Sequence, residues 1–156
     1  MRIGIGYDVH PLEKGRKLVL GGVTVPFDRG LSGYSDADVL THAVMDALLG
    51  AAGLKDIGHQ FPTGDPRYKD AYSIDLLRKV GEMVAEQGYE IYNIDSTVVA
   101  QAPKIAQHID EMRLKISRAL NIDIKLVMVK ATTTDGLGFA GKGEGIAAYA
   151  VTLIEE

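Results

Sequence analysis

Asp8 and His10, two residues apart at the end of the first apolar segment, and His42 in a helical stretch carry the most chemistry. Side chains at i and i+2 of a strand leave the same face, so Asp8 and His10 reach one point together. A third nitrogen from a helix makes an Asp/His/His set, which suits zinc with one coordination position open. The same spacing fits a strand end with ordinary polar histidines, so the rest of the chain has to decide.

A denser constellation runs from Ser35 to Gly50: Ser-Asp-Ala-Asp-Val-Leu-Thr-His-Ala-Val-Met-Asp-Ala-Leu-Leu-Gly. Its first half reads as a polar loop and a helix start, where free N–H groups take caps or anions. His42 and Asp46 stand four apart on one helical face, so Asp46 is expected to accept the second ring N–H of a ligating His42. Asp38 is expected to support the ligands from the helix start. The polar loop from Asp56 to Pro66, carrying Phe61, has the length of a substrate-binding loop.

Two glycine patterns are weaker than they look. Gly136, Gly141 and Lys142 stand at the spacing of a G-x-x-x-x-G-K phosphate loop, but Gly143 follows where Ser or Thr is needed. Gly4 and Gly6 lack the third glycine of a dinucleotide fingerprint, since position 9 is Val. His59 and His108 read as solvated spectators. Lys104, at an expected helix start, opposes the helix dipole, which favours a ligand-facing role.

The elements that must position these residues follow from periodicity. Strands are expected over 2–8, 90–100, 124–132 and 146–154, and a hairpin over 17–20 and 23–25 around Gly21-Gly22. Helices are expected over 38–52, 73–87 and from Pro103, in the first turn, to 120. Loops fill 55–67 and 133–145. This order predicts an α+β fold, a mixed four-stranded sheet with a small hairpin and helices layered on one face. The other sheet face needs cover, and a partner subunit is expected to supply it.

The 156 residues, 46% apolar and 24% charged, suit a single globular domain over 1–156. A net charge of -4 gives no attraction to nucleic acid or an anionic membrane. The absence of cysteine excludes disulfides, thiolate ligands and a cysteine nucleophile. No apolar run of about eighteen residues is present. Arg2-Ile3-Gly4-Ile5-Gly6 is no signal segment, so a cytoplasmic location is the expectation.

Tyr7-Asp8-Val9-His10, the Ser35–Gly50 run, Gln101-Ala102-Pro103-Lys104 and Lys130-Ala131-Thr132-Thr133-Thr134 with Gly143-Glu144-Gly145 resemble the 2-C-methyl-D-erythritol 2,4-cyclodiphosphate synthases. The resemblance covers essentially the whole chain. It implies a phosphorus–oxygen lyase of the non-mevalonate isoprenoid pathway, acting on 4-diphosphocytidyl-2-C-methyl-D-erythritol 2-phosphate. The 2-phosphate attacks the β-phosphorus, CMP leaves and the cyclic diphosphate forms. By the resemblance, Asp8, His10 and His42 hold one zinc per subunit, and Asp135 helps hold magnesium or manganese with the substrate. Ser35, Thr133 and Asp135 serve catalysis. Tyr34, Ser35, Asp56, Ile57, Gly58, Phe61 and Asp65 surround the erythritol phosphate.

Ala100, Ala102, Pro103, Lys104, Ile105, Ala131, Thr132 and Thr133 form the cytidine pocket, lent by a neighbouring subunit of a homotrimer whose sheets face inward. Phe139 and Lys142 match further substrate-binding positions, and Lys142 lines the central channel, which holds an isoprenoid diphosphate in some members. The chain departs from the family pattern at Tyr34, commonly histidine; at Asp135, commonly glutamate; at Thr63, commonly aspartate; and at Lys142, commonly arginine. A zinc-dependent phosphoester hydrolase and a trimeric small-molecule-binding protein with a structural metal are the competing readings of the same residues.

Overall fold

Gly4, Gly6, Asp8 and His10 alternate with Ile3, Ile5, Tyr7 and Val9, and this period of two makes the N-terminus one long strand with two unlike faces. A computed structural model describes residues 1–156. Its elements are β1 (Arg2–Lys14), β2 (Leu18–Leu20), β3 (Val23–Val25), β4 (Arg29–Leu31), α1 (Val39–Ala52), α2 (Ile57–Gln60), α3 (Ser73–Glu86), β5 (Glu90–Val99), α4 (Ile109–Leu120), β6 (Val127–Thr132), α5 (Gly138–Gly141) and β7 (Gly145–Glu155). The main sheet has the order β4-β1-β7-β5-β6, with β2 and β3 forming a separate hairpin. Only β5 and β6 pair in parallel; the other neighbours are antiparallel. The fold is thus α+β with a mixed sheet. No helix is long and apolar enough to cross a membrane.

The three long helices α1, α3 and α4 lie on one face, as expected, while the single turn α5 sits beside Tyr7 and Tyr149 of the other. Beneath α1 the strand β1 carries glycine, and a Cβ on Gly6 would sit 1.8 Å from the Ala43 carbonyl oxygen. A Cβ on Gly4 would sit 2.0 Å from that of Ala47. Ala43, Ala47 and Ala51 repeat every four residues along the facing side of α1, so backbone packs on backbone. Around this contact Leu40, Val44, Leu48, Ile74, Leu77, Val80, Met112, Ile116, Ile94, Val98 and Ile146 close one continuous core. Asp38 caps α1, taking the Thr41 N–H at 3.0 Å and its hydroxyl at 2.7 Å. It also takes the Gly21 and Gly22 N–H groups at 2.9 and 2.7 Å, which pins the hairpin to the helix start.

Three expectations need correction. The sheet has five strands, not four, because β1 continues to Lys14 and its tail pairs with the three-residue β4. Gly30 in β4 permits this, since a Cβ there would lie 2.2 Å from the Lys17 carbonyl. The third long helix does not begin at Pro103. The Ala102–Pro103 bond is cis, a single 3₁₀ turn spans Ala106–His108, and α4 starts at Ile109. The Ala100 N–H bonds to the Thr132 carbonyl, so this stretch still follows the sheet edge. Lys104 therefore opposes no helix dipole. Finally, α2 and α5 are single turns inside the two expected loops.

Replacing Gly6 by Ala forces α1 off β1. The expected result is a loss of about 1–3 kcal/mol in urea-monitored unfolding, together with weaker metal binding at His42. An unchanged midpoint would contradict the close seating of the helix.

Candidate active site

Because α1 sits so close to β1, His42 meets the two residues that β1 projects from the same face. His10 Nε2 lies 2.9 Å from Asp8 Oδ2, His42 Nδ1 lies 3.0 Å from the same oxygen, and the two nitrogens are 3.3 Å apart. Donor atoms each about 2.0–2.1 Å from a tetrahedral zinc lie about 3.3 Å apart, so the triangle has the size of a metal face. No other cluster of His, Asp or Glu comes together in this way.

The hydrogen bonds behind the triangle fix where the protons are. His10 Nδ1 faces the Ser32 carbonyl oxygen at 3.0 Å. A carbonyl only accepts, so Nδ1 carries the hydrogen and the neutral ring presents a lone pair at Nε2. The Ser73 hydroxyl donates to the Asp36 carboxylate, so it accepts from His42 Nε2 at 2.9 Å. The Ser35 hydroxyl also lies 3.2 Å from that nitrogen. His42 Nδ1 therefore presents its lone pair to the centre. Two nitrogen lone pairs and a carboxylate aimed at one point repel one another unless a cation lies between them, and zinc fits this donor set.

The ionisation of these groups agrees. Burial acts to raise the Asp8 carboxyl, yet the bonds and charges of His10 and His42 bring it down to about 2. Burial acts to lower His42, but Asp8, with Asp38 and Asp36 behind, outweighs it and raises the imidazole above the usual histidine value.

The structure gathers most of the expected substrate residues. Tyr34, Ser35, Ile57, Gly58 and Phe61 line a pocket of about 160 Å³ that opens on the triad, joined by Met45, Thr63, Tyr68 and Leu76. Asp56 and Asp65 are near but do not line it. The Asp56 carboxylate caps α2 and pairs with His59 at 2.8 Å, and that of Asp65 pairs with Arg67 at 2.7 Å. Asp56 is exposed and Asp65 half-buried, and the hydrogen bonds from His59 and Arg67 lower the two pKa values.

Ala100, Pro103, Lys104, Ile105, Ala131, Thr132 and Thr133 line a second pocket, of about 240 Å³, with Gln101 and Ala106; Ala102 lies in the bend beside it. Asp135 follows on an exposed left-handed turn with φ 52°, its Oδ1 accepting from the Thr133 hydroxyl at 3.4 Å. Phe139 belongs to a third, apolar pocket with Tyr7, Val99, Leu137 and Tyr149, and Lys142 is exposed at the end of α5.

Two expected supports act elsewhere. Asp46 does not bond His42; its carboxylate takes the Ile57 N–H at 2.8 Å and so fixes the start of α2 and the loop that follows it. Burial, with Asp56 and Asp8 nearby, raises its pKa. Asp38 holds the helix and hairpin. Behind His42 stand instead Ser73 and Asp36. Ser73 begins α3, where a serine reads as a helix-start residue, so its partner 31 residues away leaves no local signal.

A model of the YgbB family matches residues 1–155. The chain belongs to this family. It is 63% identical over 154 residues to the 2-C-methyl-D-erythritol 2,4-cyclodiphosphate synthase of Moorella thermoacetica, with 99% of this chain and 94% of that one covered. A solved synthase described as a CDP-bound form superposes with a TM-score of 0.90 at 34% identity, over 99% of this chain and 100% of that one. The bifunctional IspDF of Campylobacter jejuni superposes with a TM-score of 0.94 at 42% identity over 98% of this chain, which spans 42% of that longer protein.

Two predictions test the donor arrangement of this YgbB chain. Removing the Ser73 hydroxyl frees the His42 tautomer, so Ser73→Ala should weaken zinc binding about 10- to 100-fold in competition with a chelating dye. The helix start should survive, because the Ser73 N–H still reaches Asp36 at 2.9 Å.

The second concerns pH. With its pKa raised from 6.5, His42 stabilises the metal-free fold below that value and loses this contribution as pH rises through the folded value. Asp8, lowered from 3.8 to about 2, contributes above 3.8 and loses that contribution as pH falls toward 2; it is worth about 2 kcal/mol. Chelator-treated protein should thus lose thermal stability as pH rises above 6.5 and through the folded value of His42, and zinc, no longer competing with protons, should raise the Tm most on the alkaline side. An equal zinc effect across this range would contradict the assignment.

Proposed function

We propose that the chain is a 2-C-methyl-D-erythritol 2,4-cyclodiphosphate synthase, releasing CMP from 4-diphosphocytidyl-2-C-methyl-D-erythritol 2-phosphate as the 2-phosphate closes on the β-phosphorus. The observation that carries this reading is the convergence of two histidine lone pairs and the Asp8 carboxylate at the floor of an open pocket. Its partner is the separate pocket around Ala100–Ile105 and Ala131–Thr133 in a chain so similar to named synthases. The nucleophile arrives on the substrate, so the absence of cysteine costs nothing.

The task of the residues is to bring two anionic groups together and hold them in line. Asp8, His10 and His42 would hold a zinc ion, which would supply charge neutralisation and Lewis acidity toward a substrate phosphate. Asp135, with the Thr133 hydroxyl beside it, is the carboxylate we assign to magnesium or manganese, which takes one or two carboxylates plus phosphate oxygens. Ser35, between His42 and the pocket, orients the phosphate. The backbone around Ala100–Ile105 and Ala131–Thr133 takes the cytosine, and Lys104 offers a positive charge to the leaving nucleotide. Hydrolysis at the same centre would need a free base to activate water. Asp46, Asp56 and Asp65, the carboxylates near the pocket, are all engaged.

A homotrimer with active sites between subunits is part of this reading, and two observations support it. No residue lines both pockets. Asp8 pairs with Ala148, Ala148 with Val98 and Val98 with Ala131, so the triad and the cytidine pocket lie three strands apart on one chain, about 14 Å. In addition, Ile3, Ile5, Tyr7, Val9, Met128, Tyr149 and Val151 expose an apolar face on the sheet side away from the helices, a patch of the kind that marks an interface. One continuous core supports reading residues 1–156 as a single synthase domain.

Phosphorus NMR with the cytidyl substrate tests the reaction: cyclic diphosphate and CMP should appear, stop with chelator and return with zinc and magnesium. His42→Ala should lower turnover by at least about 100-fold while sedimentation still reports the trimer. Inorganic phosphate as product, or unchanged turnover, would overturn the proposal. Tyr149→Glu should give monomers with intact zinc binding and little turnover; full turnover by a monomer would refute the shared site.

A further inference from the structure

Tyr34 lines the metal pocket, yet its hydroxyl is already committed. The phenol donates to the Asp65 carbonyl oxygen at 3.0 Å. A phenol has one hydrogen, so it cannot also donate to a substrate phosphate while this bond holds. The Tyr34 backbone carbonyl accepts from the Asp70 N–H at 3.0 Å, and the Asp36 N–H donates to the Ala71 carbonyl at 3.1 Å. Tyr34 thus ties the middle and the end of the loop that brings Thr63 and Tyr68 to the pocket. Every other side-chain hydrogen bond of residues 62–70 stays within the loop, between Asp65 and Arg67. The residue next to Tyr34 is Ser35, whose hydroxyl reaches His42 at 3.2 Å, so the tie joins the substrate loop to the metal ligands.

We infer that Tyr34 is a positioning residue: its phenol latches the loop 62–70 over the metal pocket, and it acts on the substrate through that loop rather than by binding phosphate. The inference rests on the proposed synthase reading only for what the loop meets, since the latch is a property of the ligand-free chain. Tyr34→Phe removes one hydroxyl, keeps the ring and leaves the backbone bonds in place.

Hydrogen exchange on the ligand-free protein reads the latch directly. Amides of residues 62–70 should exchange about two- to ten-fold faster in Tyr34→Phe, the span expected for one neutral hydrogen bond, with the α1 amides and zinc affinity unaltered. In turnover, the KM for the cytidyl substrate should rise by a similar factor while kcat falls less than about three-fold, since the loop positions substrate in ground and transition state alike. Tyr34→Ala, which removes the ring as well, should show both effects more strongly. Unaltered exchange with a raised KM would overturn the latch in favour of direct phosphate binding, and unaltered exchange and KM together would leave Tyr34 no role in the loop. Absence of cyclic product from the unaltered chain would sink the synthase reading alone, because the exchange measurement needs no substrate.

Discussion

The contact between α1 and β1 is the constraint on which the rest depends. Helices normally stand off a sheet by the thickness of two layers of side chains. Here one layer is absent, because Gly4 and Gly6 offer no Cβ and the helix answers with Ala43, Ala47 and Ala51. The approach is set by backbone atoms, which cannot adjust by changing rotamer, so position and depth of the helix are fixed together. His42 is the neighbour of Ala43, and Asp8 and His10 continue the glycine face. The close seat thus brings ligands 32 and 34 residues apart into one triangle with little slack. Asp38 then anchors the helix start to the hairpin, which resists sliding along the strand.

Such a contact makes a metal site precise but leaves its chemistry to the hydrogen bonds behind it. A histidine that can flip or change tautomer offers an N–H as readily as a lone pair. The Ser32 carbonyl and the Asp36–Ser73 pair remove that choice for His10 and His42. Asp36 also takes the Asp38 N–H and the Ser73 N–H, so the group that polarises Ser73 is itself held by the starts of two helices. Several carboxylates thus crowd around the pocket, but most of them spend their oxygens on backbone N–H groups. This division leaves Asp8 as the charge facing the metal.

Much of this is legible in the amino-acid sequence, for reasons that differ by residue. The Asp8–His10 pair and His42 are visible because strand and helix periods fix which side chains share a face. The helix over Val39–Ala52 is visible because its apolar residues repeat at the helical period and Gly53 ends it in the left-handed conformation. Gly4 and Gly6 are visible as glycines, but their reason is the helix that packs on them, and nothing local announces it. The same holds for β4, whose three residues pair only because the tail of β1 passes nearby. Asp46 misleads because helical spacing states who could face His42, whereas the nearby Ile57 N–H decides where the carboxylate goes. Ser73 and Ser32 are silent, one through a long-range partner and the other because it acts by its carbonyl.

The two faces of β1 also explain why a small chain would divide its site among copies. The helix face of this strand is used up by glycine at one end and metal ligands at the other. The opposite face, with Ile3, Ile5, Tyr7 and Val9, has no long helix to cover it. In the proposed trimer, burying that face against neighbouring copies would remove apolar area from water, the largest favourable term available to such an assembly. It would also allow the pocket around Ala100–Ile105 of one copy to meet the metal pocket of the next, a juxtaposition that three intervening strand spacings deny within a single chain. In this arrangement stability and catalysis draw on the same surface: an isolated chain would leave its apolar face in water and its nucleotide pocket without a metal. A substrate with a phosphate at one end and a nucleotide at the other is the kind of ligand for which such a divided site is suited, because binding at both ends brings its own reacting groups together.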